Sequence, residues 1–328
     1  MTLSIVVDVM GADRPPRELV AGAVRAGERM PVHLILAGRR QDIELHLPPA
    51  APVEVLHCDG VVAPDAHPVE AVRDRTSSIV RGLEAVAEGK AAAFLSPGNT
   101  GAVVTAALLV LGRLPGVLRP GLCAALPTLA GPAVLLIDAG ATADPKPQHL
   151  AQFADMGCTY AREVLGIASP TLGLLNIGAE PGKGDKLVRA AYEFLAARDN
   201  FVGNVEPHTV LTARPADVLI TGGFAGNLFL KAVEGGAEAV WLALRTAFSR
   251  SPRAKAGAWL ARPSLREVAR RLRYEGHNGA PLLGVNGLVM VAHGRSDASA
   301  IEAAVERTFL ACQAGLVDRI KAAIPAVD

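Results

Sequence analysis

Short apolar runs recur along the chain, each passing into glycine-rich punctuation and then into a longer segment of helical period. Residues 4–7, 32–36, 53–57, 91–95, 133–137, 172–176, 218–220 and 288–292 are the expected strands. Runs rich in Val, Ile and Leu, each followed by a helical segment, are the mark of βα units on a parallel sheet. The expected fold is therefore α/β, a three-layer, Rossmann-like arrangement with a mostly parallel sheet. Neither an internal repeat nor a low-complexity linker interrupts the pattern, so residues 1–328 are expected to form a single two-lobed α/β catalytic domain.

One segment, 236–262, has a different pattern. Ala237, Val240, Trp241, Leu244 and Phe248 fall at i, i+3, i+4, i+7 and i+11, a single apolar stripe that stops before Pro252. Arg250, Arg253, Lys255 and Arg262 then surround a second apolar set, Ala256, Trp259 and Leu260. Aromatic and leucine anchors flanked by basic side chains suit a helix lying in a membrane surface, though a core-facing helix would show the same stripe. Ser264 and Glu267 have the spacing of a capping box. They predict a further helix with Leu265, Val268, Ala269 and Leu272 inward. Its basic face, Arg266, Arg270, Arg271 and Arg273, fits either an acidic protein partner or plain solvation.

Charge sharpens that contrast. The 328 residues carry a formal charge of +1, yet residues 241–273 hold nine basic side chains and one acidic. A patch of +8 therefore sits on a body of −7. Half the residues are hydrophobic, which excludes a disordered tail protein, and the near-neutral total argues against a nucleic-acid partner. Cys58, Cys123, Cys158 and Cys312 are far apart, without a C-x-x-C pair, as expected in a reducing cytoplasm. Residues 1–10 lack a basic leader and reach Asp8, so they read as a strand. The longest apolar stretch, 101–112, is short of the ~18 residues of a spanning helix. A cytoplasmic protein attached peripherally to the membrane is expected.

Candidate chemistry lies in the loops after the strands, where ligands of open α/β sheets bind. Ser96-Pro97-Gly98-Asn99-Thr100-Gly101 offers two glycines for close backbone approach and polar groups for an anion, or else a simple capped turn. Around Lys183 the sequence Gly178-Ala179-Glu180-Pro181-Gly182-Lys183-Gly184 fails the P-loop pattern. One residue too few separates Gly178 from Gly182, and Gly184 replaces the Ser or Thr. Lys183 between two glycines reads as a cation delivered to a ligand, or as a solvated lysine before an Asp185 cap. Thr221 stands where the first glycine of a dinucleotide fingerprint belongs. Asn227 presents an amide to a carbonyl or phosphate, or caps the next helix. His293-Gly294-Arg295-Ser296-Asp297 gathers an imidazole, a guanidinium and two capping residues at one junction. No H-E-x-x-H, G-x-S-x-G or metal-spaced carboxylate cluster occurs, so neither a metal nor another cofactor is expected.

In order and spacing these motifs resemble the phosphate acyltransferases of bacterial phospholipid synthesis, the PlsX family. The resemblance is carried by Asp8-Val9-Met10-Gly11-Ala12-Asp13, Ser96 through Ala102, Asp138-Ala139-Gly140-Ala141, and Asn176-Ile177-Gly178 with Gly182-Lys183-Gly184. It continues in Gly223-Phe224-Ala225-Gly226-Asn227 with Leu230-Lys231, Gly279 through Val285, and His293 through Asp297. The chain departs from that family's usual pattern at Gly222, where Asp is common, and at Ala12, Thr142 and Pro145.

The resemblance implies transfer of a long-chain fatty acyl group from acyl carrier protein to inorganic phosphate, with no cofactor, by a homodimer at the membrane surface. It also implies a fold like phosphotransacetylases and isocitrate dehydrogenase. Lys183 would neutralise phosphate or the oxyanion, and Asn227 would hold the thioester carbonyl. Gly98, Asn99, Thr100 and Gly101, with His293, Ser296 and Asp297, would bind phosphate. Trp241, Leu244, Phe248, Trp259 and Leu260 would touch the membrane. The alternatives are a phosphotransacetylase using a coenzyme A thioester, a nicotinamide-dependent dehydrogenase and a non-catalytic membrane-surface scaffold.

Overall fold

The computed structural model describes residues 3–63, 65–272 and 279–324, and of 269–272 the backbone alone. Eleven strands form one sheet: β1 Leu3–Asp8, β2 Val32–Gly38, β3 Val53–His57, β4 Ala93–Ser96, β5 Gly121–Leu126, β6 Val134–Ile137, β7 Leu172–Leu175, β8 Phe201–Val205, β9 Val218–Ile220, β10 Ala280–Leu283 and β11 Leu288–Val291. Their order is β3-β2-β1-β4-β11-β10-β5-β6-β9-β7-β8. The helices are α1 Pro16–Arg29, α2 Arg40–Glu44, α3 Pro68–Ala71, α4 Ser78–Ala87, α5 Thr100–Val110, α6 Pro147–Glu163, α7 Lys186–Ala196, α8 Pro207–Ala213, α9 Gly223–Ser249, α10 Pro252–Leu272, α11 Ala298–Gln313 and α12 Leu316–Ala323.

Successive strand residues point to opposite faces, and both faces are covered. Ile5, Val7, Leu135 and Ile137 pack into one hydrophobic layer with α1, α6 and α11. Val6, Phe94, Val134 and Leu136 pack into the other with α4 and α5. This double burial is why most of the runs are nearly continuous in apolar residues, while the edge strand β3 carries Glu54 and His57. All eight expected strands are present, but β5, β8 and β10 were not expected. Each contains Gly, Ala or Pro, which gives it little strand signal of its own.

The unexpected strands change the topology. β11–β10, β10–β5 and β5–β6 are antiparallel, while the remaining neighbours are parallel. Three reversals leave β6, β9, β7 and β8 pointing opposite to β3, β2, β1, β4 and β11. The carboxyl ends of the two sets therefore lie on opposite margins of the sheet.

α9 connects these margins. It begins after β9 on one margin, and its Glu234 and Glu238 reach His293 and Arg295 after β11 on the other, at 3.7 and 3.5 Å. The eleven steps from Gly223 to Glu234 rise roughly 17 Å, about the length of a strand. Beyond that point α9 is exposed, and α10 packs against α9 alone among its substantial contacts.

Two sequence expectations fail in this region. Ser264 does not start a helix: α10 begins at Pro252, with Ser251 Oγ accepting the Ala254 N–H, and runs through Pro263. Proline at the first helical position favours that earlier start. Val268, expected inward, is 48% exposed. The expected inward side chains of Ala269 and Leu272 and the basic Arg270, Arg271 and Arg273 lie outside the described residues.

Candidate active site

β6, β9 and β7 are neighbours, so the loops at 138–142, 221–227 and 176–185 emerge side by side. Asp138 organises the first. Its fully buried carboxylate accepts N–H bonds from Leu122, Gly140 and Ala141 on Oδ1, at 2.8–2.9 Å, and from Thr142 on Oδ2, at 2.6 Å. Burial pushes this carboxyl above the ordinary range, and the four donors pull it back. α9 sits directly on this turn. A Cβ on Gly223 would stand 2.6 Å from Asp138 Oδ2, and one on Gly226 would collide with the Asp138 carbonyl.

Because α9 starts at Gly223, Asn227 lies a full turn inside it and is not a cap. Its exposed side chain instead packs over Gly140, 3.4 Å from where a Cβ there would be. Among the described residues its amide has no hydrogen-bond partner. Gly222 and Pro145, two departures noted above, prove to be neighbours: a Cβ on Gly222 would meet Pro145 Cγ at 3.0 Å. The chain has filled with a proline ring the space in which a larger residue at 222 would start.

The Lys183 loop closes on Asn176. Asn176 Oδ1 accepts the Ile177 N–H at 2.8 Å, and Nδ2 donates to the Lys183 carbonyl at 3.1 Å. From β8, Asn204 Nδ2 donates to the Glu180 carbonyl at 2.8 Å. Gly184 takes φ +92°, and a Cβ there would stand 2.7 Å from Asn176 Oδ1, so the position needs glycine on both counts. The Lys183 stem lies over Gly178. Its ammonium is exposed and has no ion pair among the described residues. Asp185 caps α7, accepting the Val188 N–H at 2.8 Å, so lysine and cap are neighbours with separate tasks.

The other predicted residues gather on the opposite margin. Asp8, fully buried, accepts from Ser96 Oγ at 2.7 Å, and Ser96 Oγ in turn accepts the Gly98 N–H at 3.0 Å. Asn99 Oδ1 accepts the Ala102 N–H at 3.0 Å and caps α5, leaving Thr100 and Gly101 at the helix start, where N–H groups point outward. Ala292 donates to the Ser96 carbonyl and Asp13 to the Gly294 carbonyl, which joins the loops after β1, β4 and β11.

In the third of these loops, His293 Nδ1 accepts the Arg295 N–H at 3.1 Å, while Nε2 faces Glu234. That carboxylate is held down at about 2, by the imidazole first and Lys231 next. Asp297 Oδ1 accepts the Ala300 N–H at 2.9 Å, so its carboxylate serves α11. Ser296, expected as a second cap, instead has a buried hydroxyl without a partner.

The structure thus places the Lys183 loop after β7 beside the start of α9, which carries Asn227, after the neighbouring β9, and Gly98, Asn99, Thr100 and Gly101 beside His293, Ser296 and Asp297. The two groups lie on opposite margins of the sheet, with α9 running from one to the other. Seven residues separate Asn227 from Glu234, roughly 10 Å of helix, too far for Asn227 and His293 to grip one small anion. Asp8 and Asp138, which set both loop groups, stand in the motifs that carry the resemblance but were given no role of their own from the sequence. Their signal is an apolar run ending in Asp with glycine two or three positions on, seen in Asp8-Val9-Met10-Gly11 and Asp138-Ala139-Gly140.

The proposed membrane residues are all on the projecting helices. Trp241 and Leu244 on α9 are exposed, Phe248 is half-buried, and Trp259 and Leu260 on α10 are 71% and 72% exposed. No helix of the described residues is long and apolar enough to cross a membrane. Among the described residues no cluster of His, Cys, Asp and Glu is placed to hold a metal ion.

Comparison with known proteins agrees with these motifs. The family model described as "Fatty acid synthesis protein" matches residues 3–319. A phosphate acyltransferase of Desulfitobacterium hafniense (strain DSM 10664 / DCB-2) is 42% identical over 328 residues, covering 98% of each chain. One from Bacillus subtilis (strain 168) is 40% identical over 310 residues, covering 93% of each. Among solved structures, a phosphotransacetylase from Streptococcus pyogenes superposes with a TM-score of 0.59 at 16% identity. That match covers 95% of this chain and 94% of that one and shows a shared fold. Matched almost from end to end by this family model and by relatives at 40% identity or above, the chain belongs to the phosphate acyltransferase family of transferases.

Proposed function

We propose that this chain transfers a long-chain fatty acyl group from the thioester of acyl carrier protein to inorganic phosphate, giving acyl phosphate and the free carrier thiol. The observation that carries this reading is the ammonium of Lys183, unpaired among the described residues, on a loop beside the start of α9, where the Asn227 amide is equally unengaged among them. A phosphate oxygen attacks the thioester carbonyl, the C–O bond forms and the C–S bond breaks. The proton of hydrogen phosphate ends on the departing thiol. Phosphate is already an anionic nucleophile, so positioning and charge stabilisation suffice without a covalent enzyme intermediate. Lys183 neutralises phosphate or the developing oxyanion, and Asn227 donates to the carbonyl oxygen. The α5 amino terminus with Thr100 and Gly101 offers a second place for an anionic group, on the opposite margin of the sheet.

The exposed helices α9 and α10 serve association in this reading. Residues 239–244, Ala-Val-Trp-Leu-Ala-Leu, carry apolar side chains all round α9, more than one face to cover. A second copy of the chain and an anionic membrane surface are the two occupants proposed, and the basic residues of α10 also suit an acidic carrier protein. The test is phosphate-dependent thiol release measured with long-chain acyl carrier protein and with acetyl-coenzyme A. Turnover confined to the carrier substrate supports the proposal. Preference for acetyl-coenzyme A would replace it with a phosphotransacetylase activity.

A further inference from the structure

Residues 177–183 lie within no helix or strand, and the one bond of their own is a turn across Pro181 and Gly182, where the Lys183 N–H donates to the Glu180 carbonyl at 3.1 Å. Three hydrogen bonds from two asparagines tie that turn to the sheet. Asn176, only 5% exposed, grips both ends of the loop, the N–H of Ile177 and the carbonyl of Lys183. Asn204 grips the middle, at the Glu180 carbonyl. Asn204 Oδ1 is buried without a partner, an expensive arrangement that an apolar residue would avoid unless its amide N–H were needed. Gly184 completes the closure, since any side chain there would displace Asn176 Oδ1.

We infer that Asn176 is a positioning residue for the transfer reaction: by fixing the carbonyl of Lys183 it sets the direction in which the lysine stem leaves the loop, with Asn204 as the second support. This rests on the reading of Lys183 given above. An ammonium on a four-carbon stem reaches many places, and a displacement near 1 Å at a reacting centre costs up to about a hundredfold in rate. The clamp restricts the stem at its root, and Gly178 gives it room to lie across the loop. Asn176→Asp is the informative near-isostere. It keeps the acceptor for Ile177 but turns a second oxygen towards the Lys183 carbonyl, so it breaks the half of the clamp that matters.

A double-mutant cycle tests the inference on the full chain, with acyl phosphate formation from long-chain acyl carrier protein as the rate and denaturant unfolding as the check on folding. Asn176→Ala and Asn176→Asp are expected to lower kcat/KM about tenfold to a hundredfold. In a Lys183→Ala background neither should lower it further, because the group they position is gone. A purely structural role would give the same loss in both backgrounds and overturn the inference, as would full activity of both Asn176 variants. Full activity of Lys183→Ala would instead overturn the reading of the lysine and the inference with it. If the Asn176 variants do not fold, the same cycle run with Asn204→Ala decides between these outcomes, with a smaller expected loss.

Discussion

Asp138 links three parts of the chain that are remote in sequence: it receives the N–H of Leu122 from an antiparallel strand, closes the 140–142 turn and forms the floor on which Gly223 and Gly226 rest. Asn227 stands on that floor. Asp138→Asn would keep an acceptor for three of the donors but turn an NH2 group, or leave nothing, towards the Thr142 N–H. One buried donor without a partner costs about 1–3 kcal/mol, and a loss of that size in denaturant unfolding is the expected result. An unchanged unfolding midpoint would show that the turn does not depend on this carboxylate. Lys183 and Asn227 were legible as candidates because glycines around a lone lysine, and an amide after a glycine turn, are unusual in themselves. The role of Asp138 was not, because one of its donors comes from β5, a strand without a sequence signal.

At the scale of elements, the apolar runs gave the strands buried on both faces, whereas β5, β8 and β10 depend on partners rather than propensity. The capping box at Ser264 misled for a local reason. Ser251-Pro252 is a stronger start a few turns earlier, and Pro263 is accommodated within the exposed helix that follows. α9 is the element with the widest reach. Its second turn presents Asn227, its fourth and fifth meet the loop of His293 and Arg295, and its remainder carries Trp241 outward. Replacing Trp241 and Trp259 together by Glu is expected to abolish co-sedimentation with anionic vesicles, because rings that would insert become charges repelled by the surface. Unchanged sedimentation would remove the membrane from the proposed function while leaving the chemistry untouched.

For the whole molecule, the formal charge of +1 hides a division between a basic helical projection and an acidic body, visible in the sequence as soon as charge is counted by segment. The opposed directions of the two strand sets were not visible there, since reversal is made by β10 and β5, the strands between them that carry little strand signal of their own. That reversal sets the two groups of candidate residues on opposite margins, with α9 spanning the interval. An extended substrate, a carrier-bound acyl chain meeting a phosphate, suits such an interval better than one small anion would.

The central claim is that phosphate itself attacks the acyl thioester. The most direct measurement is incubation of the protein with long-chain acyl carrier protein and phosphate labelled with oxygen-18 at every position, followed by mass spectrometry of the acyl product. The expected product is acyl phosphate that retains all the labelled oxygens, formed in step with the free carrier thiol. Thiol release accompanied by free fatty acid, with no acyl phosphate, would contradict it.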